Sequence, residues 1–363
     1  MSKVVVGMSG GVDSAVAAYL LKQAGYEVIG VTLRTWQAED GSEGLCCDID
    51  DARSVANKVG IRFVPVNCTS DFQKYVVDPF SKAYLSGLTP NPCVECNRYV
   101  KMEKLLYYAY VVGADHIATG HYASVIRLDN GRYTVKKASH AEKDQTYMLY
   151  RLSQEQLAAL LMPLGDLSKS EVRQIAYGAG LPVANKPDSQ EICFVTDGSY
   201  ADYIAKTAGA DLPGEGNFVD ESGKILGKHK GIIYYTVGQR KGLGIAFGHP
   251  VYVKEIRKET NEVVLGDDAS LYSSELFCTD VSFLSIPELK SGEKTTCIAK
   301  IRYQHDGTMA EIESIGQDSI RVSFHEPVRA AAPGQSVVFY HPDGYVIGGG
   351  MIVSGGEDGL LQR

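Results

Sequence analysis

At 363 residues with a formal net charge of −8, the chain is long enough for two or three domains and too acidic to coat nucleic acid through a global positive field. It opens Met-Ser-Lys, runs straight into a strand-like segment and contains no unbroken apolar run long enough to span a bilayer, so a cytoplasmic protein with no membrane anchor is expected. Its eight cysteines (46, 47, 68, 93, 96, 193, 278 and 297) then sit in a reducing compartment, where a clustered pair is better read as catalytic or metal-binding than as part of a disulfide framework.

The first segment, 4–14, reads as a short β-branched strand, a glycine-rich turn and the start of a helix, which together make a phosphate site. Gly10 and Gly11 carry no Cβ and let the backbone approach phosphate oxygens, while Ser9 and Ser14 offer hydroxyls. The helix beginning near Asp13 aims its free N–H groups and positive dipole end at the anion. The turn lacks the Gly-Lys-Ser/Thr ending of a Walker A motif, which excludes a standard P-loop.

Strand-like and helix-like patterns alternate from there: helix 14–23 closed by Gly25, strand 27–33, helix 51–59 closed by Gly60, strand 62–66, helices 71–85 and 97–112, and strand 116–119 ending at Gly120-His121. This alternation predicts a doubly wound α/β domain with a parallel sheet and its ligand at the carboxyl ends of the strands. Helices are expected over 153–161 and, after the cap-like Ser168-Lys169-Ser170-Glu171, over 172–177. Near Pro213-Gly214-Glu215-Gly216 the texture changes to short β-rich runs, placing a boundary at 206–212. Strands at 296–303, 310–314, 319–324, 336–340 and 345–352 then predict a small C-terminal barrel or sandwich. The expected units are 1–208 (α/β, catalytic), 209–281 (central, β-rich) and 282–363 (C-terminal β-barrel). Between Lys224 and Lys258 lies a local concentration of eight lysines and arginines, including Lys228, Lys230, Arg240 and Lys241, in an otherwise acidic chain.

Two loops carry chemistry of their own. Cys93 and Cys96 stand three residues apart where a proline-stiffened loop (Thr89-Pro90-Asn91-Pro92) feeds a helix whose N-terminus favours thiolate. Cys193 follows a polar run, 185–192, that suits no core strand; alone, such a cysteine is more often a small buried hydrophobe than a nucleophile. Cys46 and Cys47 are adjacent and chelate poorly, and Cys68, Cys278 and Cys297 lie in strand-like contexts that point to the core.

The string Ser9-Gly10-Gly11-Val12-Asp13-Ser14 resembles the PP-loop of the N-type ATP pyrophosphatases, which cleave ATP to AMP and pyrophosphate and activate a substrate oxygen as an adenylate. Further blocks extend the resemblance over the whole chain: Thr89-Pro90-Asn91-Pro92, Cys96-Asn97, Ala118-Thr119-Gly120-His121-Tyr122, Lys143-Asp144-Gln145-Thr146-Tyr147, 188–194, 235–244 and Arg302-Tyr303. In that order they are similar to the bacterial tRNA-specific 2-thiouridylases, which replace O2 of the wobble uridine, position 34, with sulfur. The resemblance implies that Gly7, Met8, Ser9, Gly10, Gly11, Val12, Asp13, Ser14, Leu33 and Gly120 hold ATP with Mg2+, with Asp13 counted among the catalytic residues. It implies that Asn91, Pro92 and Cys93 line the target base, that Lys143, Asp144, Gln145, Arg302 and Tyr303 touch tRNA, and that His121 and Gln335 help fix the anticodon region. Cys193 would carry a persulfide delivered by a sulfur-donor protein, and Cys96 would release its sulfur.

One position departs from the pattern: Cys93 stands where many members of the family have Asp. The triplet Cys93, Cys96 and Cys193 thereby resembles cluster-dependent tRNA thiolases that hold a [4Fe–4S] cluster on three cysteines, and the cluster and persulfide routes both stand open. Two other readings compete. Another PP-loop adenylating ligase would need neither the paired loop cysteines nor an RNA-binding appendage. An ATP-gated RNA-binding or iron–sulfur sensor without turnover would leave the phosphate loop idle.

Overall fold

The computed structural model describes residues 1–36, 48–188, 192–195, 198–245, 248–316 and 318–353. Cys46 and Cys47 lie outside them.

Three strands with helical connections open the fold: β1 (Lys3–Gly7), α1 (Val12–Gln23), β2 (Glu27–Arg34), α2 (Ile49–Val59) and β3 (Arg62–Asn67). Next comes β4 (His116–Ala118), then a two-stranded hairpin of β5 (Ala123–Arg127) and β6 (Tyr133–Lys137) that leaves the sheet, and β7 (Leu160–Leu161), which rejoins it. The sheet order is β3-β2-β1-β4-β7 with every pair parallel. β1 is central, and Val4, Val5 and Val6 are fully buried, because helices cover both faces of a parallel sheet and a continuous apolar run serves both. The chain direction across the sheet reverses between β1 and β4, so the loops after these two strands splay apart and leave a crevice at their carboxyl ends.

The expected elements are present with shifted ends. The helix expected from 97 begins at Pro92, capped by the Asn91 side chain, and runs to Val112 through a π-helical segment, Cys96–Met102. A second π-helical segment, Gln73–Val77, interrupts the 69–85 helix. The helix expected over 153–161 starts on a Ser153 and Gln156 capping box but stops at Ala159. Leu160 and Leu161 instead pair with β4, because an open parallel edge offers their backbone groups partners, and Pro163 closes off further helix.

Four strands form the central sheet: β8 (Gly216–Val219), β9 (Ile225–His229), β10 (Tyr252–Arg257) and β11 (Glu262–Gly266), in the order β10-β11-β8-β9. The last six are β12 (Tyr272–Phe283), β13 (Lys294–Lys300), β14 (Thr308–Gly316), β15 (Ser319–Arg329), β16 (Ser336–Tyr340) and β17 (Val346–Ile352). They close into a barrel, which leaves no free strand edge among them. β12 straddles position 282, where the sequence reading starts the third unit. Among the described residues no helix is long and apolar enough to cross a membrane.

The barrel is tied to the α/β domain by buried polar contacts. Thr134 on β6 donates to the Val346 carbonyl at 2.6 Å, Tyr147 donates to the Ser336 carbonyl at 2.7 Å, and Arg132 donates to the carbonyls of Leu284 at 2.8 Å and Phe283 at 3.2 Å. Replacing fully buried Thr134 by Val keeps the shape and removes the donor from a buried carbonyl. Thr134→Val is expected to cost about 1–3 kcal/mol, read as a lowered urea midpoint at unchanged slope.

Candidate active site

The loop between β1 and α1 is organised by one hydroxyl. Ser14 Oγ donates to the Gly11 carbonyl at 3.1 Å, accepts from the Ser9 amide at 3.1 Å and lies 3.2 Å from Ser9 Oγ. Gly11 caps α1 without a side-chain hydrogen bond, which leaves the first helical N–H groups turned to an anion. The two loop glycines are not equivalent. Gly10 has φ +77°, and a Cβ there would meet the Asp48 carbonyl oxygen at 2.5 Å, whereas at Gly11 it would meet only Ser9 Oγ at 3.4 Å. Across the crevice, a Cβ on Gly120 would approach the Asp13 carbonyl carbon and the Ser14 nitrogen to 2.7 Å, so only glycine lets the loop after β4 close on the start of α1.

Asp13 is held from two sides. Tyr122 donates to its Oδ1 at 2.7 Å, and Lys169 Nζ donates to Oδ1 at 2.7 Å and to Oδ2 at 2.9 Å. Burial, with Asp13 second, pushes the Tyr122 phenol far above its ordinary range, so it stays a donor. Lys169 also reaches Asp188 at 2.7 Å, and Asp188 takes Lys143 and Arg173 as well, each at 3.0 Å. Burial pulls the Asp188 carboxyl up, but the hydrogen bonds and charges of Lys169 and Lys143 hold it below its usual range.

Next to the phosphate loop lies a cavity of about 290 Å³. Its walls bring together Gly7, Met8, Ser9, Asp13, Ser14, Leu33 and Gly120 from the nucleotide side with Pro92, Cys93, Cys96, His121, Gln145 and Cys193. Asn91 Oδ1 accepts from the Cys93 amide at 3.1 Å and starts the helix that carries both cysteines, Cys93 exposed and Cys96 buried. Cys193 is half-buried, and its neighbour Phe194 anchors it edge-on among Phe72, Phe80 and Tyr203 at 5.7, 5.2 and 5.4 Å. His121 Nδ1 lies 2.8 Å from Thr119 Oγ1. Burial, assisted by the charge of Lys101, pushes the His121 imidazole down to about 3, so it is neutral at working pH.

The remaining candidates lie elsewhere. Gly10 and Gly11 of the loop and Val12 at the start of α1 do not line the cavity, and Asn91 serves as a helix cap. Asp144 is buried; its carboxylate accepts from Thr146 Oγ1 at 2.7 Å and from the Ala138 amide at 3.2 Å, which organises the loop that carries Lys143 and Gln145. Lys143 is paired with Asp188, Arg302 donates to the Arg329 carbonyl at 3.0 Å, and Tyr303 stands edge-on to Tyr147 at 6.3 Å. Gln335 donates to the Thr89 carbonyl at 2.9 Å, which ties the barrel to the cysteine loop. Residues the sequence reading passed over are Lys101, Tyr122, Lys169 and Arg173. Tyr122 and Lys169 stood inside noted motifs, but their common partner Asp13 is remote in sequence. Cys93, Cys96 and Cys193 line one cavity, while among the described residues no group of three His, Cys, Asp or Glu side chains stands arranged to hold a metal ion.

A phosphate loop at the switch point of a parallel sheet, facing paired thiols and followed by a barrel, defines a nucleotide-binding type of α/β domain with appended β-domains. Residues 2–197 match the family described as tRNA methyl transferase HUP domain, 201–267 its PRC-barrel domain, and 273–352 the aminomethyltransferase beta-barrel domain. The tRNA-specific 2-thiouridylase MnmA of Lachnoclostridium phytofermentans is 53% identical over 97% of this chain and 100% of its own length. Those of Clostridioides difficile and Acetivibrio thermocellus are 51% and 52% identical, over 96% of this chain and 98% and 99% of theirs. This chain belongs to the tRNA-specific 2-thiouridylase family. Among solved structures, the U34-tRNA thiolase NcsA of Methanococcus maripaludis aligns at a TM-score of 0.35 and 21% identity over 58% of this chain and 67% of that one, a likeness too low to bear on chemistry.

The neutral His121 has a consequence for stability. Its folded value near 3 lies below the ordinary value of 6.5, so between these limits the unfolded state binds the extra proton. Stability from this site is therefore complete above 6.5 and lost as pH falls toward 3. Urea midpoints measured from pH 7 to pH 4 are expected to fall more steeply for the wild type than for His121→Gln.

Proposed function

We propose that this protein is an enzyme that replaces O2 of uridine 34 in tRNA with sulfur, consuming ATP as AMP and pyrophosphate. The observation that carries the reading is that one cavity joins the phosphate loop to Cys96 and Cys193. Activation and sulfur delivery can therefore act on one base without its leaving the site. The relatives that share the full length of the chain carry the name tRNA-specific 2-thiouridylase, which supports the same reading.

ATP binds with its β- and γ-phosphates on the free N–H groups of α1 and the Ser9 and Ser14 hydroxyls. Hard oxygen donors at Asp13, Ser9 and Ser14 suit the Mg2+ that accompanies the nucleotide. Uridine O2 attacks the α-phosphorus, pyrophosphate leaves with the electron pair of the broken P–O bond, and C2 now carries AMP as leaving group. A persulfide on Cys193, loaded by a sulfur-donor protein, attacks C2 through its terminal sulfur, and AMP departs with the former O2. Cys96 thiolate then attacks Cys193 Sγ; the thiouridine sulfur leaves with the bond electrons and a Cys96–Cys193 disulfide remains for a thiol reductant to open.

Cys96→Ser and Cys193→Ser are expected to lose 2-thiouridine formation by on the order of 10³-fold or more while keeping tRNA-dependent pyrophosphate release. Cys93→Ser should retain activity within about threefold, since it supplies neither the carrier nor the releasing sulfur. Nucleoside analysis of tRNA beside a pyrophosphate assay checks both; loss in Cys93→Ser equal to that in the other two would overturn the persulfide route.

The basic segment supports an RNA-facing surface once internal pairs are set aside. Lys254 is paired with Glu221 at 2.6 Å, Arg257 with Glu255 at 3.1 Å, and His229 is buried against the Asn261 carbonyl and the Gly231 amide. Lys228, Lys230, Arg240 and Lys241 are exposed. Replacing these four with Ala is expected to weaken tRNA binding and to reduce the slope of log affinity against log salt by up to about 3, measured by filter binding from 50 to 200 mM salt.

A further inference from the structure

The cavity has to accept a nucleotide, yet its walls are largely apolar, with Leu33, Phe72, Val76 and Leu105 among them. Of the described residues that line it, Lys101 and Asp13 are the only ones of the Lys, Arg, Asp and Glu types, and Asp13 is already held by Lys169 and Tyr122. His121, on the same wall, is neutral and adds no positive charge. Lys101 is thus the one Lys or Arg side chain among the described residues that line this space.

Its placement follows from the π-helical segment Cys96–Met102. In an α-helix, residues five apart point roughly 140° away from each other. A π turn bonds residue i to i+5 and stacks them on one face. Cys96 and Lys101 are such a pair, and both line the cavity. The charge of Lys101 is also close enough to His121 to add to burial in depressing that imidazole.

We infer that Lys101 is a catalytic residue whose ammonium holds the α-phosphate of the nucleotide on the cysteine side of the cavity, opposite the phosphate loop. The inference rests on the adenylation reading above. When uridine O2 forms its bond to the α-phosphorus and the bond to the β-phosphate oxygen breaks, negative charge gathers on the equatorial α-oxygens, and an ammonium among apolar walls stabilises it more than water would. In the second stage the C2–O2 bond breaks and AMP leaves as an anion beside the same ammonium.

The test compares AMP with adenosine, which differ only by that phosphate. Calorimetric affinities for both are measured on the wild type, Lys101→Met and Lys101→Arg, together with single-turnover pyrophosphate release in the presence of ATP and tRNA. Lys101→Met is expected to lose about tenfold in AMP affinity with adenosine unchanged, Lys101→Arg to keep most of the AMP affinity, and pyrophosphate release to slow in Lys101→Met by more than the binding loss. An AMP-to-adenosine ratio equal in Lys101→Met and wild type overturns the inference, including the case in which a misfolded variant weakens both ligands alike. The ratio involves neither tRNA nor sulfur, so failure of the thiolation reading shows separately, as wild-type protein that forms no AMP in response to tRNA.

Discussion

Lys169 Nζ sits within 2.7–2.9 Å of both oxygens of Asp13 and 2.7 Å from Asp188, and its side chain is only 13% exposed. Asp13 lies in the first turn of α1, next to the phosphate loop, while Asp188 opens the segment that leads to Cys193. Two carboxylates that would repel one another are thereby joined through one ammonium, with Lys143 and Arg173 completing the charge balance at Asp188. Removing a partner from such a half-buried set leaves uncompensated charge, which costs more than the intact set contributes. The nucleotide side and the sulfur side of the cavity depend on this link for their relative position.

The barrel acts on the same cavity from the other side. Thr89 at the start of the cysteine loop is held at both backbone groups, its amide by the Pro333 carbonyl at 2.8 Å and its carbonyl by Gln335 at 2.9 Å. Glu95, between the two cysteines of that loop, pairs with Arg151 at 2.6 Å, and Arg151 reaches Asp280 of the barrel at 2.5 Å. Burial raises the Glu95 carboxyl against the opposing pull of Arg151, so the pair holds position at an electrostatic cost, as buried ion pairs do. A domain that contributes no residue to the cavity wall among those described thus sets the height and angle of Cys93 and Cys96.

The two glycines of the phosphate loop illustrate how far residue type alone carries an argument. Both are compatible with close approach of an anion, but only Gly10 has a conformation and a neighbour, the Asp48 carbonyl, that exclude a side chain. The decisive contact comes from the start of α2, more than thirty residues on. Asp144 makes the same point for charge: an aspartate in a polar run reads as solvent-facing, yet backbone and hydroxyl donors around it satisfy the carboxylate internally.

The strand, turn and helix of the phosphate loop, the helix cap at Ser168, and the barrel strands 319–324 and 336–340 were legible in the sequence because each is written in contiguous residues with its own period or cap. The short strand Leu160–Leu161 was not, since its reason is an open edge of β4 rather than any local preference. Cys93, Cys96 and Cys193 could be singled out as reactive types from their loops, but whether three thiols form a metal set depends on distances across the cavity that no spacing encodes. Lys101 was invisible for a related reason: at α-helical spacing it faces away from Cys96, and only the π turn, a product of tertiary packing, brings the two to one wall. Local chemistry determined which residues are able to react; which of them meet, and beside what charge, was decided by the folded chain.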